Sequence, residues 1–310
     1  MTKVFIDGKA GTTGLRIYER LEQRSDLELL TLSEEDRKKP ECRKLMLNKA
    51  DIVFLCLPDD AAIEAVSMID SPETIVLDTS TAHRTNPEWA YGFPELSDEL
   101  KSKIMSSKRI AVPGCHASGF IALVYPLIEA GILSSESKLY CHSLTGYSGG
   151  GKKMIAQYES ETDNALLKAP RQYGLTQNHK HLKEMKAICG LDVYPVFCPI
   201  VSNFYSGMEV TVPLFMSDLK KGTSVEDIIS VYKNKYTGPV VSYSDSCDEG
   251  GMLSAADMSL KDSMIVSVFG NEERVLLTAR YDNLGKGASG AAVELLNMIT
   301  GAKITEGLDI

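Results

Sequence analysis

The sequence predicts an α/β protein in two parts: a doubly wound parallel-sheet domain, then an α+β domain built on a mixed sheet. Three observations predict it. Short, continuously apolar runs alternate with helical patterns over the first hundred or so residues, the signature of parallel strands covered on both faces. Later strands alternate apolar and polar residues, as a sheet with one solvated or partner-covered face requires. Finally, the 310 residues are too many for one small core and suit two.

The elements follow in order. "KVFIDG" is an apolar strand that runs into the glycine-bearing "GKAGTTGLRIYERLEQ", helical in its later part. "LELLTLS" is a second strand and "ECRKLMLNKA" a second helix. "DIVFLCLPDDAAIEAVSMI" is a buried strand, a Pro-Asp stop and a helix with Asp59 near its N-cap; "TIVLDTS" is a further strand. "RIAV" then leads through "VPGCHASGF" into the apolar helix "ASGFIALVYPLIEAG". Residues 1–115 read as the dinucleotide-binding domain. From there "KLYCHSLTGYSGGGKK" is a strand ending in a glycine-rich loop, followed by the polar "LKAPRQYGLTQNHKHLKEM". "GMEVTVPLFMS", "SMIVSVFG" and "RVLLTARYD" are the alternating strands of a second domain over 116–285. The closing "NLGKGASGAAVELLNMIT" is a glycine-initiated apolar helix, and 286–310 is expected to pack back on the first domain.

Composition excludes several classes. With 44% apolar and 24% charged residues the chain is an ordinary globular one, neither disordered nor low-complexity. A net charge of −9 removes the electrostatic case for nucleic acid or an anionic membrane as partner. No apolar run approaches the ~20 residues of a bilayer span. The opening "MTK" passes straight into a strand, without the pattern of a secretory leader, which predicts a cytoplasmic protein. The seven cysteines (Cys42, Cys56, Cys115, Cys141, Cys189, Cys198 and Cys247) are odd in number and contain no C-x-x-C pair. That argues against a disulfide framework and a cysteine-rich zinc site, and for a reducing compartment.

Three constellations carry chemistry. The first is "DGKAGTTG", in which Gly8, Gly11 and Gly14 fall between a strand and a helix. Glycines there allow a tight turn and close approach of a pyrophosphate, whose charge meets the free N–H groups of the helix start. Thr12 and Thr13 add hydroxyl donors. The second strand is read as ending at Ser33, followed by Arg37 and Lys38, rather than at an acidic residue that would bind ribose hydroxyls. This predicts NADP as cofactor, although Glu34 and Glu35 share the segment.

The second constellation is Cys115, delivered by a Pro-Gly turn to the first turn of a helix. A helix N-terminus stabilises a thiolate, so a nucleophile belongs there more naturally than a packing residue. "QNHKHLKE" supplies His179 and His181, with Glu184 one helical turn after His181 and able to orient its imidazole. An oriented histidine is an acid–base group near neutrality. No further Cys or His completes a metal site, so none is expected. The third constellation comprises anion holders: Ser80 and Arg84 in "DTSTAHRT", and Lys153 behind the glycine loop "YSGGGKK". Thiolate, nicotinamide, histidine and a phosphate site together suit reduction of an acyl phosphate through a thioester.

With these residues in view the sequence resembles the short-type N-acetyl-gamma-glutamyl-phosphate reductases, within the semialdehyde dehydrogenase superfamily. The resemblance runs over nearly the whole chain. It is carried by "VFIDGKAGTTGLRIYERL", "CLPDDAA", "LDTSTAHR", "VPGCHASGF", "GYSGGGKKMI", "QNHKHLKEM" and "DNLGKGASGAAVELLN". It implies reversible, NADPH-dependent reductive dephosphorylation of N-acetylglutamyl 5-phosphate to the 5-semialdehyde, a step of arginine biosynthesis. It also implies a homo-oligomer, dimer or tetramer, assembled through the second domain. In the resemblance Cys115 matches the nucleophile, His181 with Glu184 the acid–base pair, and His179 a substrate-side histidine. Phosphate leaves toward Arg84. Aspartate-semialdehyde dehydrogenases usually carry Asn before the nucleophile. Gly114 stands there here, so oxyanion support falls to groups such as the N–H of His116 and Ala117. The competing readings are a related acyl-phosphate reductase, such as an aspartate-semialdehyde dehydrogenase, and a non-catalytic NADP-binding sensor in which Cys115 is inert.

Overall fold

The computed structural model describes residues 1–310, which divide into two compact units: residues 1–114 with 288–308, and residues 115–287 with 309–310. In the first unit the chain runs β1 (Thr2–Asp7), α1 (Thr12–Leu21), β2 (Leu27–Leu30), α2 (Pro40–Lys49), β3 (Ile52–Leu55), α3 (Asp59–Ser67), β4 (Ile75–Asp78), β5 (Ala90–Tyr91), α4 (Asp98–Ser106) and β6 (Arg109–Ala111). The six strands form one parallel sheet in the order β2-β1-β3-β4-β6-β5. The direction of winding reverses between β1 and β3, so the crevice at their C-terminal ends is where such a sheet takes a ligand.

The continuous apolar strands are explained by their two faces. Val4, Ile6, Phe54, Leu77 and Ile110 point into one core with Ile17 and Leu21 of α1. The alternate residues Phe5, Val53, Leu55, Val76 and Ala111 point into a second core with Leu47 of α2 and Ala62 and Ala65 of α3. Period-2 side-chain direction thus serves two layers of helices at once.

One local expectation is corrected, and Asp59 falls beside the N-cap as expected. β2 ends at Leu30, where its pairing with β1 stops, so Ser33 does not terminate a strand. Ser33 Oγ instead accepts from the Asp36 N–H at 3.1 Å and donates to Asp36 Oδ2 at 2.9 Å, tying the chain to the single helical turn over Asp36–Lys38 that follows. Asp59 is the first residue of α3, whose N-cap is Pro58. The Asp59 carboxylate accepts from the Thr81 N–H (3.0 Å) and hydroxyl (2.7 Å), tying α3 to the loop after β4.

The second unit runs α5 (Cys115–Glu129), β7 (Tyr140–Gly146), a short helical turn at Tyr147–Gly150, α6 (Gly151–Ser160), α7 (Ala165–Lys168), β8 (Arg171–Gln172), α8 (His181–Cys189), β9 (Val196–Ser202), β10 (Met208–Phe215), α9 (Val225–Lys235), β11 (Val241–Tyr243), β12 (Met264–Gly270) and β13 (Arg274–Tyr281). Its seven strands form a mixed sheet in the order β11-β12-β13-β10-β7-β9-β8. The β12, β13, β10 and β7 neighbours are antiparallel, and β7 with β9 is parallel. The apolar α5 is buried from His116 to Val124.

The chain then passes through a π-turn at Gly285–Ser289 into α10 (Gly290–Thr300). Ala291, Val293, Leu295 and Leu296 of α10 join the first unit's core beside Val4, Ile17 and Leu21. Asn297 of α10 accepts from Arg24 Nη1 at 2.7 Å within that unit.

Candidate active site

Two cavities, one in each unit, are lined by six of the residues singled out from the sequence: Gly8, Arg37 and Lys38 in one, Cys115, His179 and His181 in the other. The first, about 480 Å³, lies against β1 and α1 and is walled by Asp7, Gly8, Lys9, Ala10, Glu34, Arg37, Lys38 and Arg43 among others. Gly8 has φ +87°, and a Cβ there would lie 2.2 Å from the Cys56 carbonyl oxygen. A Cβ on Gly14 would lie 2.5 Å from the Gly8 carbonyl oxygen. Only glycine at both positions lets the β1–α1 turn close this tightly. Gly11 is the N-cap of α1, and Thr12 and Thr13 occupy a first turn without an acidic residue, so the free N–H groups keep their positive field.

Arg37 and Lys38 both line this cavity, with Arg37 ion-paired to Glu34 at 2.5 Å. Glu34 therefore tempers one cation of the pair. The sequence reading missed Arg43, whose guanidinium donates to Asp7 Oδ2 at 3.0 and 2.9 Å and to Glu64 at 3.2 Å. Burial pushes the Asp7 carboxyl up despite that partner. The 36-residue gap between the two hides the pair from any local pattern. A tight turn that needs glycine at Gly8 and Gly14, a helix start and two cations suit a dinucleotide with an extra phosphate.

Ser80 and Arg84, read as anion holders, line neither cavity, and each makes contacts within its own unit. Ser80 Oγ donates to Asp78 Oδ2 at 2.7 Å, and His83 Nδ1 meets the same oxygen at 2.6 Å while its ring stacks on Trp89. Arg84 is buried; its Nε donates to the Val112 carbonyl at 2.9 Å and its Nη2 to the Thr79 carbonyl at 2.9 Å. Both bonds hold backbone, one of them just before the Pro-Gly turn.

The second cavity, about 270 Å³, is walled by Cys115, His116, Thr145, Gly146, Gly149, Gly150, Met154, Tyr173, His179, Lys180, His181 and Val201. Cys115 is the first residue of α5 and half-buried. Its carbonyl accepts from Tyr281 Oη at 2.5 Å, and the same phenol oxygen accepts from the Gly119 N–H at 3.0 Å. The backbone at the start of α5 is therefore fixed by a buried tyrosine on β13.

His181 begins α8 and is nearly buried, and Glu184 one turn on is buried. His179 Nδ1 accepts from the His181 N–H at 3.2 Å, which places the proton of the neutral His179 ring on Nε2. Burial, helped by the charge of Lys180, moves the His179 pKa down. The His179 and His181 rings lie 4.8 Å apart. The glycine loop contributes Gly149 and Gly150, and α6 starts immediately after them. Lys153 lies exposed on α6 and is not part of the wall; Lys180 is the cation there.

Two further side chains of the wall, those of His116 and Tyr173, escaped the sequence reading, which used only the backbone N–H of His116. His116 is buried beside the other two histidines, 5.8 Å from the His179 ring and 5.6 Å from that of His181. Its Nδ1 meets Ser143 Oγ at 2.7 Å and its Nε2 meets Tyr173 Oη at 2.6 Å. Burial, with His179 adding to it, takes the His116 pKa down to about 3, so the ring is neutral at any working pH. No group of three or more His, Cys, Asp or Glu side chains is arranged to hold a metal ion.

A half-buried cysteine at a helix start, walled by histidines, faces a glycine loop that can hold an anion. Such an arrangement can support covalent attack on a carbonyl carbon with an acid–base group alongside. The semialdehyde dehydrogenase NAD binding domain matches residues 3–103, and the semialdehyde dehydrogenase dimerisation domain matches residues 115–283. An N-acetyl-gamma-glutamyl-phosphate reductase from Sinorhizobium medicae is 44% identical over 307 residues, 97% of this chain and 99% of that protein. The reductase of the same name from Brucella ovis is 43% identical over 306 residues, covering 96% and 99% of the two chains. This chain belongs to that reductase family.

Among solved structures, aspartate semialdehyde dehydrogenase II from Vibrio cholerae superposes with a TM-score of 0.74 at 16% identity, over 97% of this chain and 98% of the other. The Candida albicans enzyme, described with NADP, gives 0.66 at 15% identity, over 97% and 99%. These share the fold. Within the reductase family the cysteine cavity lies in the part matched by the dimerisation domain, and the glycine-turn cavity in the part matched by the NAD binding domain. No helix is long and apolar enough to cross a membrane.

Proposed function

We propose that the protein reduces N-acetyl-L-glutamyl 5-phosphate to N-acetyl-L-glutamate 5-semialdehyde and phosphate, reversibly and with NADPH, as a step of arginine biosynthesis. The observation that carries this is Cys115 opening from the start of α5 into a cavity walled by His179 and His181. The Cys115 thiolate attacks the acyl carbon, and the bond from that carbon to the bridging oxygen breaks as phosphate leaves with that oxygen. When bound, NADPH supplies the hydride that converts the Cys115 thioester to a hemithioacetal. His181, oriented by Glu184, protonates or deprotonates the reacting oxygen as the C–S bond breaks and the aldehyde is released.

The remaining residues take supporting roles. The N–H groups of the glycine loop and α6, with Lys180 and His179, hold the anionic ends of the substrate. Gly8, Gly11, Thr12, Thr13 and Gly14 hold the cofactor pyrophosphate. Arg37 and Lys38, with Ser33 nearby, hold the 2′-phosphate that distinguishes NADP. Arg84 and Ser80 shape the loop that supports the turn before Cys115. Assembly is as a homodimer or homotetramer through the second unit. Seven free cysteines suit the reducing cytoplasm.

The test is a comparison of aldehydes. NADP reduction should depend on phosphate and proceed far faster with N-acetylglutamate 5-semialdehyde than with aspartate semialdehyde. Faster oxidation of aspartate semialdehyde would move the protein to the related branch. Absence of any phosphate-dependent reduction would favour a non-catalytic binder.

A further inference from the structure

We propose that Tyr173 donates the hydrogen bond that stabilises the oxygen of the carbonyl attacked by Cys115, and that Ser143 and His116 fix the direction of that phenol proton. The inference rests on Cys115 being the nucleophile.

It starts from proton counting. A neutral imidazole has one donor and one acceptor nitrogen. His116 Nδ1 faces the hydroxyl of Ser143, a residue with no solvent exposure, and the structure gives that hydroxyl no other partner. If Nδ1 carried the proton, the Ser143 proton would be buried without an acceptor, at a cost of about 1–3 kcal/mol. The satisfied arrangement has Ser143 O–H donating to Nδ1 and His116 Nε2–H donating to Tyr173 Oη. The phenol oxygen is then an acceptor toward His116, and its own proton is left for the cavity it shares with Cys115.

The site keeps both protonation states in place. Burial holds His116 neutral, so the relay does not reverse on protonation at working pH. Burial, with the negative charge of Cys115 adding to it, holds the Tyr173 phenol in its protonated form. The phenol therefore remains a donor while the thiolate beside it attacks. As the C–S bond forms, the carbonyl π pair moves onto oxygen, where the Tyr173 proton meets it. The pair returns as the C–O bond to phosphate breaks. Tyr173 gives up no proton in the step, and His181 stays free for proton transfer at release of the aldehyde.

The test separates carbonyl attack from thiol reactivity. Rates of acylation of Cys115 by N-acetylglutamyl phosphate, read by mass spectrometry without NADPH, are compared with rates of alkylation by iodoacetamide, a reaction in which no oxyanion develops. Tyr173→Phe should slow acylation and kcat by about 10²–10³-fold, the usual effect of removing one oxyanion donor. Alkylation should stay within about twofold and KM for phosphate should change little. His116→Leu should slow acylation with the same split, and His116→Gln, whose amide can donate to the phenol, should recover much of it.

Turnover by Tyr173→Phe within threefold of the unsubstituted protein would overturn the assignment. So would an equal fall in alkylation, since the phenol would then act on the thiol. His116→Leu acylating at the full rate would remove His116 from the relay. Failure of the unsubstituted protein to acylate Cys115 at all would instead overturn the underlying reading of the nucleophile.

Discussion

In the proposed function a thiol at a helix start and an imidazole of the same cavity divide the chemistry, and substitution should separate them. Cys115→Ser should abolish nearly all turnover, because a serine alkoxide is far harder to generate than a thiolate, while leaving NADP binding intact in a titration. His181→Asn should still acylate Cys115 but turn over about 10²–10⁴-fold more slowly. His116 offers a stability test with a definite sign. Its pKa falls from 6.5 to about 3 on folding, so the unfolded chain binds the extra proton between those values. Stability from this group is therefore full above pH 6.5 and is lost as pH falls. Between pH 7 and 5 the unsubstituted protein should lose about 2 kcal/mol more than His116→Asn in urea denaturation. Cys115 was legible because its turn and helix are contiguous in sequence. The His116–Tyr173 contact was not, because 57 residues separate its members and a histidine after a nucleophile reads as one more helix residue.

The loop after β4 shows how an element is held for function without touching substrate. Arg84 bridges the carbonyls of Val112 and Thr79 through two nitrogens of one planar group, and so fixes the exit of β6 against the end of β4. A lysine cannot reproduce that fork. Arg84→Lys should cost about 1–3 kcal/mol in chemical denaturation, the loss expected when a buried carbonyl loses a charged donor. An unchanged denaturation midpoint would return Arg84 to the anion-holding role read from sequence. Elements with strong local signals were legible: β1, β3 and β4 as unbroken apolar runs, and α1 from its glycine turn. β9 was overlooked because Pro199 interrupts its pattern, although it pairs with β7 along its whole length. α9 was overlooked although its signal is present, a capping box in which Ser224 and Asp227 satisfy each other's backbone N–H groups.

At the scale of the whole molecule, the glycine-turn cavity and the cysteine cavity lie in separate units, and the proposed function divides cofactor binding from covalent chemistry between them. The glycine turn and its cavity belong to the unit formed by residues 1–114 and 288–308, and Cys115, Tyr173, His179 and His181 to the other. The change from a parallel to a mixed sheet was legible because burial on two faces and on one face leave different patterns along a strand. Partner atoms around each cavity come from distant segments, and no local pattern records them. The division has a thermodynamic consequence. A ligand that binds only the folded form stabilises the body it binds, by about 2.7 kcal/mol at a hundred times Kd. NADP at that concentration should therefore slow hydrogen exchange by about a hundredfold at the most protected amides of β1, β3 and β4, which open only with their own unit. Amides of β10, β12 and β13 should slow much less, because their sheet contains no part of the cofactor cavity. Equal slowing in both sheets would mean that the two units open as one cooperative body. The nucleophile's own carbonyl, held by Tyr281 at the end of β13, would then share the stability that the cofactor adds.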